Sequence, residues 1–187
     1  GYELYQSMLE ETISKIRGGQ IDVLTSMDNQ WSPQINLGVS VLIPETYVAD
    51  LDVRLGLYRR LSNLSKKVEF EGFAAELIDR FGQLPPEVNT LLLVVRIKSV
   101  CKKAGIGKLD GGPKGATIQF HNDKFISPEG LVEFIKKQNG LAKIKDNKLI
   151  IKREWKKNSE KFKGAFSIAR DLAETAVSYE KNSSTKN

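Results

Sequence analysis

Histidine and cysteine are almost missing from this sequence of 187 residues, which holds one of each, His121 and Cys101. A lone cysteine cannot close a disulfide within the chain and fits a reducing compartment, so a cytoplasmic location is the default expectation. A lone histidine excludes a paired-histidine metal site, and no Cys-His-His arrangement can form within these residues. His121 stands at the end of a β-like stretch, where a structural or solvated role is expected rather than that of a general base. Long apolar runs are missing too. No stretch approaches the roughly 20 residues that a helix needs to span a bilayer, and the first residues do not read as a signal peptide. A phosphate loop is only hinted at by Gly105-Ile106-Gly107-Lys108. That motif needs a glycine five residues before the Gly-Lys pair and a Ser or Thr after it, where this chain has Lys102 and Leu109. Carboxylates are plentiful, but none stands isolated on an apolar face as a paired acid and base would. Catalytic residues, a metal site and a cofactor are therefore not expected.

What is present is ordinary globular material, with 40% hydrophobic and 28% charged residues. The length suits one domain with a sizeable core. The net charge of +6 is unevenly placed: residues 1–100 carry a net of −3 and residues 101–187 a net of +9. Such asymmetry fits nucleic acid, an acidic partner or simple solubility, and the counts alone do not choose among them.

The chain is organised around residues 76–88, Glu-Leu-Ile-Asp-Arg-Phe-Gly-Gln-Leu-Pro-Pro-Glu-Val. Upstream, Phe70, Phe73, Ala74, Leu77, Ile78 and Phe81 recur at steps of three and four, which is one apolar face of a helix. Gly82 suits a helix C-terminus, and Pro86 suits the first turn of the next helix. That second helix, roughly 86–104, carries apolar side chains nearly all round and is expected to be the core helix. The polar side of the first presents Glu76, Asp79 and Arg80 at i, i+3 and i+4, neighbouring surface positions. By spacing alone, these three describe a solvated face with a local Glu76–Arg80 pair.

Elsewhere, Leu4, Tyr5, Met8, Leu9, Ile13 and Ile16 form a helical stripe that starts uncapped, as if cut from something longer. Ile35, Leu37, Val39 and Val41 alternate with polar residues as a half-buried strand. Asp50, Ser65 and Ser127 read as helix caps. Two strands flank Asp146-Asn147, a two-residue hairpin turn pairing Lys145 with Lys148 and Ile144 with Leu149. Alternation then turns Ala142, Ile144, Leu149 and Ile151 inward and Lys143, Lys145, Lys148 and Lys152 outward. A last amphipathic helix runs through Phe162, Phe166, Ala169, Leu172 and Ala176. The expected fold is α+β, a small antiparallel sheet packed with several helices around the buried helix at 86–104. One domain is expected over residues 1–178, helix-rich to residue 104 and mixed from 105. Residues 179–187 are expected to be a disordered tail.

These strings resemble the C-terminal domain of bacterial transcription-repair coupling factors (the Mfd proteins). The likeness runs from Gly1-Tyr2-Glu3-Leu4-Tyr5 through Leu42-Ile43-Pro44, Tyr47-Val48-Ala49-Asp50 and Tyr58-Arg59-Arg60. It continues through Glu76-Leu77-Ile78-Asp79-Arg80-Phe81-Gly82, with Leu84-Pro85, to Ala104-Gly105-Ile106, covering about residues 1–175. The resemblance implies a non-catalytic domain behind an ATP- and Mg-dependent DNA translocase that displaces stalled RNA polymerase and recruits excision repair through UvrA. It further implies that the domain packs on the UvrB-like N-terminal module of the same protein and hides the surface UvrA would bind. Glu76, Asp79 and Arg80 would then be the interdomain contact. The other reading is an accessory nucleic-acid-binding module using the basic region 141–163, where Lys143, Lys145, Lys148 and Lys152 would be the surface. No membrane partner is expected.

Overall fold

The computed structural model describes residues 31–39 and 41–185. The helical stripe expected from Leu4 to Ile16 lies outside the described residues. In chain order the elements are β1 (Gln34–Asn36), α1 (Leu51–Ser62), α2 (Lys67–Phe81), α3 (Pro86–Ala104), β2 (Ile106–Gly112), β3 (Gly115–Phe120), α4 (Pro128–Lys137), β4 (Ala142–Lys145), β5 (Lys148–Lys152) and α5 (Asn158–Ser184). The class is α+β, as expected.

Two compact units account for these elements, one holding Val39–Ser99 and the other Pro33–Gly38 with the chain from Val100 onward. The sequence placed its change of character at residue 104 within one domain. The division falls instead inside α3, between Ser99 and Val100, because periodicity along a continuous helix carries no mark of which neighbours it serves.

In the first unit, α1 begins as predicted: the Val53 amide donates to the Asp50 carboxylate at 2.9 Å, satisfying one of the open amides of the first turn. Helix α2 starts one residue later than expected from Ser65, with the Lys66 amide donating to Glu69 at 3.3 Å. It buries Phe70, Phe73 and Leu77. At its end Gly82 has φ +92°, a backbone that side chains disfavour, and its amide still reaches the Ile78 carbonyl at 2.9 Å. Of α3, Val88, Leu91, Val94, Val95, Ile97, Cys101 and Ala104 are buried, while Leu92 and Leu93 are only half-buried. The helix is thus covered on a broad face and not all round.

The second unit is built on a five-stranded sheet in the order β1-β2-β3-β5-β4. It is mixed rather than antiparallel. Strand β1 runs parallel to β2, pairing Ile35 with Leu109, and the remaining pairs are antiparallel. The expected strand from Ile35 to Val41 is cut short at Asn36. Gly38 has φ +69° and its amide turns back to the Asn36 side chain at 3.2 Å, which takes the chain off the sheet. The β4–β5 hairpin keeps the predicted register, Lys145 with Lys148 and Ile144 with Leu149. Asp146 and Asn147 have φ of 53° and 59°, the conformation that a two-residue turn of this twist requires.

One face of the sheet is buried, with Ile35, Leu109, Ile118, Leu149 and Ile151 all nearly inaccessible. Helix α5 packs along β2 and against α4, and α4 lies beside β4. Ile144 departs from its expected inward burial and is 54% exposed, because β4 is the outermost strand and Ile144 sits next to its turn. Helix α5 continues to Ser184, so residues 179–184 are helical rather than the disordered tail expected from their polarity.

Candidate interdomain contact face

Burial of Phe70, Phe73 and Leu77 at helical spacing fixes the roll of α2 and so decides which side chains it turns outward. Glu76 and Arg80 emerge on the side next to α1. There the Arg60 guanidinium, in the last turn of α1, grips the Glu76 carboxylate with two parallel hydrogen bonds of 2.5 and 2.9 Å. Arg80 adds a third from the same helix at 3.2 Å. The Arg60 guanidinium lies 5.0 Å from the centre of the Phe73 ring, and Arg80 lies 4.8 Å from that of Phe81. Fork-on-fork pairing with a stacked guanidinium is a geometry that arginine, not lysine, can adopt. The Arg60 hydrogen bonds, helped by Arg80 and opposed by some loss of hydration, hold the Glu76 carboxyl down at about 2. The same pair raises Arg60 above its ordinary value.

Sequence reading placed Glu76, Asp79 and Arg80 on one face; the structure separates their tasks. Glu76 is a brace between α1 and α2, already satisfied from within. Arg80 commits one amine to it and keeps its remaining donors at a surface that is 44% exposed. Asp79 is exposed and makes no ion pair with any described residue. Ile78 and Phe81 were expected to anchor these turns, yet Ile78 is 49% exposed and Phe81 half-buried; Leu77 carries the anchoring. The outermost line of α2 runs through Val68, Gly72, Ala75 and Asp79, with Ile78 at its margin, and Val68 is 73% exposed. Arg60 was missed as a participant because the contact joins two helices, and helical spacing reports only neighbours on one. Its one signal was its place off the apolar side of α1.

The C-terminal end of α2 is held by Tyr47. Its hydroxyl lies 3.0 Å from the Leu77 carbonyl and 2.8 Å from that of Gly82, donating to either, and its ring meets Phe81 edge-on at 5.8 Å. Partial burial raises the Tyr47 phenol above its ordinary value. The segment on either side of Tyr47 is tied down by buried groups of α1. Arg54 donates to the Val48 and Ala49 carbonyls at 2.7 and 3.0 Å, and the Tyr58 hydroxyl accepts from the Ile43 amide at 2.7 Å. Many residues of the resembling strings are therefore scaffold for α2.

In the second unit the structure brings Lys143, Lys145, Lys148 and Lys152 to one side of the β4–β5 hairpin, all exposed. His121 lies in a short 3-10 turn, half-buried, with its amide on the Gly105 carbonyl at 2.8 Å. Burial pushes the Cys101 thiol up, away from reactivity. Among the described residues no group of three His, Cys, Asp or Glu is placed to hold a metal ion, and no helix is long and apolar enough to cross a membrane.

Comparison with known proteins agrees with this architecture. Residues 37–131 match the TRCF domain family. A transcription-repair-coupling factor of Rickettsia conorii is 46% identical over 151 residues, covering 80% of this chain and 13% of that protein. The Escherichia coli factor is 33% identical over 138 residues, covering 74% of this chain and 12% of that protein. The chain thus spans only a small part of the length of the relatives it matches. A crystal structure of the C-terminal domain of a transcription-repair coupling factor shares the fold, with a TM-score of 0.67 at 23% identity over 82% of this chain and 99% of that one. With a family match across half of its length and transcription-repair-coupling factors among its relatives, the chain belongs to the TRCF domain family.

Proposed function

We propose that this domain is a non-catalytic regulatory element whose α2 face docks on the UvrB-like N-terminal module of the same protein and covers the surface that UvrA would bind. The parent, in this reading, is an ATP-driven DNA translocase that displaces stalled RNA polymerase. One observation carries the proposal: α2 presents exposed Val68, Ala75 and Ile78 beside Asp79 and Arg80 on a helix held rigidly from behind. A small apolar strip edged by one free carboxylate and one partly committed guanidinium resembles a contact between domains more than a plain solvated face. The strip supplies buried area and the charges supply register. Glu76 contributes by fixing Arg80 and Arg60. Because the helix is already ordered, a partner gains the contact without ordering a loop. Charged pairs at such a margin are worth about 1 kcal/mol or less each, so the clamp is biased shut without being locked.

The test is UvrA capture by full-length parent carrying Glu76→Ala, Asp79→Ala and Arg80→Ala, beside wild type and a parent lacking this domain. The triple variant is expected to capture UvrA at a level approaching the domain deletion, with wild type low. If the deletion captures UvrA and the triple variant does not, the contact lies elsewhere on this chain.

A further inference from the structure

The strand register places a second set of side chains together that the proposed clamp does not use. Opposite its buried face, the sheet turns Lys143 and Lys145 of β4, Lys148 and Lys152 of β5 and Lys108 of β2 to the same side, with two carboxylates beside them, Asp110 on β2 and Asp123, which accepts from the Gln119 amide at 3.3 Å. Asp110 lies 3.9 Å from Lys108, which leaves the four hairpin lysines with no ion pair to any described residue. Between them β3 contributes Thr117 and Gln119, both partly exposed hydrogen-bonding groups. Within this unit, α4 and α5 pack against the sheet from the buried side. Across four strands this open surface is about 14 Å wide, and lysines two apart on a strand recur at about 6.7 Å.

We infer that this outer sheet face binds the phosphate backbone of duplex nucleic acid, without regard to sequence. Charge complementarity selects the occupant. Duplex DNA carries one negative charge per ~1.7 Å of its axis, so a flat lysine lattice meets several phosphates at once. Protein-binding surfaces are depleted in lysine at their centre and rich in aromatic side chains and arginine. This face has neither, and Ile150, half-buried, is its only large apolar residue. The missing aromatics also disfavour single strands, which are held largely by stacking. Lysine contacts position a duplex and do not read it. The expected dissociation constant is that of non-specific binding, on the order of 10⁻⁴–10⁻⁶ M at physiological salt.

The experiment is fluorescence anisotropy of a labelled 20-bp duplex with the 187-residue chain, between 50 and 200 mM salt. Four phosphate contacts predict a loss of affinity of about a hundredfold across that range, from a log–log slope near −3.6. Replacing Lys143, Lys145, Lys148 and Lys152 with Gln should reduce the slope to near zero. Replacing Lys136, Lys137, Lys163 and Lys181 of α4 and α5 with Gln removes the same charge and should shift it by less than about one. Circular dichroism melting confirms that each variant folds. Equal losses in the two variants, or no binding at 50 mM salt, would overturn the assignment. Displacement of the duplex by poly-glutamate at equal charge concentration would overturn it in favour of an acidic protein partner.

Discussion

Glu76 shows how a single carboxylate can be more consequential for shape than for contact. Its acid form is suppressed to about 2 by Arg60 and, behind it, Arg80, against an unfolded value near 4.3. A depressed carboxyl stabilises the fold above the unfolded value and loses that contribution as pH falls toward the folded one. Wild type should therefore exceed Glu76→Gln in stability at pH 6, and the difference should shrink between about pH 4.5 and pH 2. Because the pair is open to solvent, the difference at pH 6 should be no more than about 1 kcal/mol. Urea unfolding of both proteins across that range measures it; a gap that widens on acidification would contradict the assignment. Asp79 offers the opposite case, a charge that the described fold leaves without a partner.

Among elements, α3 and α5 carry the sharpest stability predictions. Leu91 is wholly buried while Leu92, one position on, is half-buried. Leu91→Ala should cost about 2–5 kcal/mol through the cavity it leaves, and Leu92→Ala distinctly less. Chemical denaturation of the two variants side by side gives the ranking. In α5, a Cβ at Gly164 would overlap the buried Trp155 ring. Alanine would gain about 1 kcal/mol of helix propensity there. Overpacking against this buried ring costs about 1–3 kcal/mol and should win. A melting temperature raised by Gly164→Ala would show that the ring yields.

These elements also show what was legible in advance. The caps at Asp50 and Ser127 and the Asp146-Asn147 hairpin register were readable because each depends on residues within a few positions of one another. The parallel β1–β2 pair, the split inside α3, the exposure of Ile144 and the Arg60–Glu76 grip were not. Each depends on which distant segment becomes a neighbour. Periodicity names the face of an element that is apolar; it does not name what covers that face. The misjudged burial of Leu92 and Ile78 has this cause.

At the scale of the whole molecule, the brace and the proposed docking face make separable demands. Removing Glu76, Asp79 and Arg80 together deletes one half-solvated cluster from a chain of this size, so the melting temperature should fall by no more than about 2–4 °C. Calorimetry of the 187-residue chain checks this. On the proposed reading, with an ATP-driven parent and a clamp that masks UvrA, the same substitutions in the full-length protein should raise basal ATP turnover if the clamp restrains the motor. An ATPase assay without DNA distinguishes restraint from simple masking of UvrA: unchanged turnover with increased UvrA capture would mean masking alone.

The outermost strands of the sheet have one more consequence. Strand β1 has only three residues, and β4 alternates lysine with its apolar residues up to the turn. A short strand at one margin and a charged one at the other are the means by which sheets avoid recruiting strands from other copies. Gln at Lys143 and Lys145 would leave β4 with its free amides, its carbonyls and an exposed Ile144, but without repulsion. At concentrations well above those of the duplex titration, that variant should polymerise edge to edge, with light scattering and thioflavin fluorescence rising where wild type stays clear.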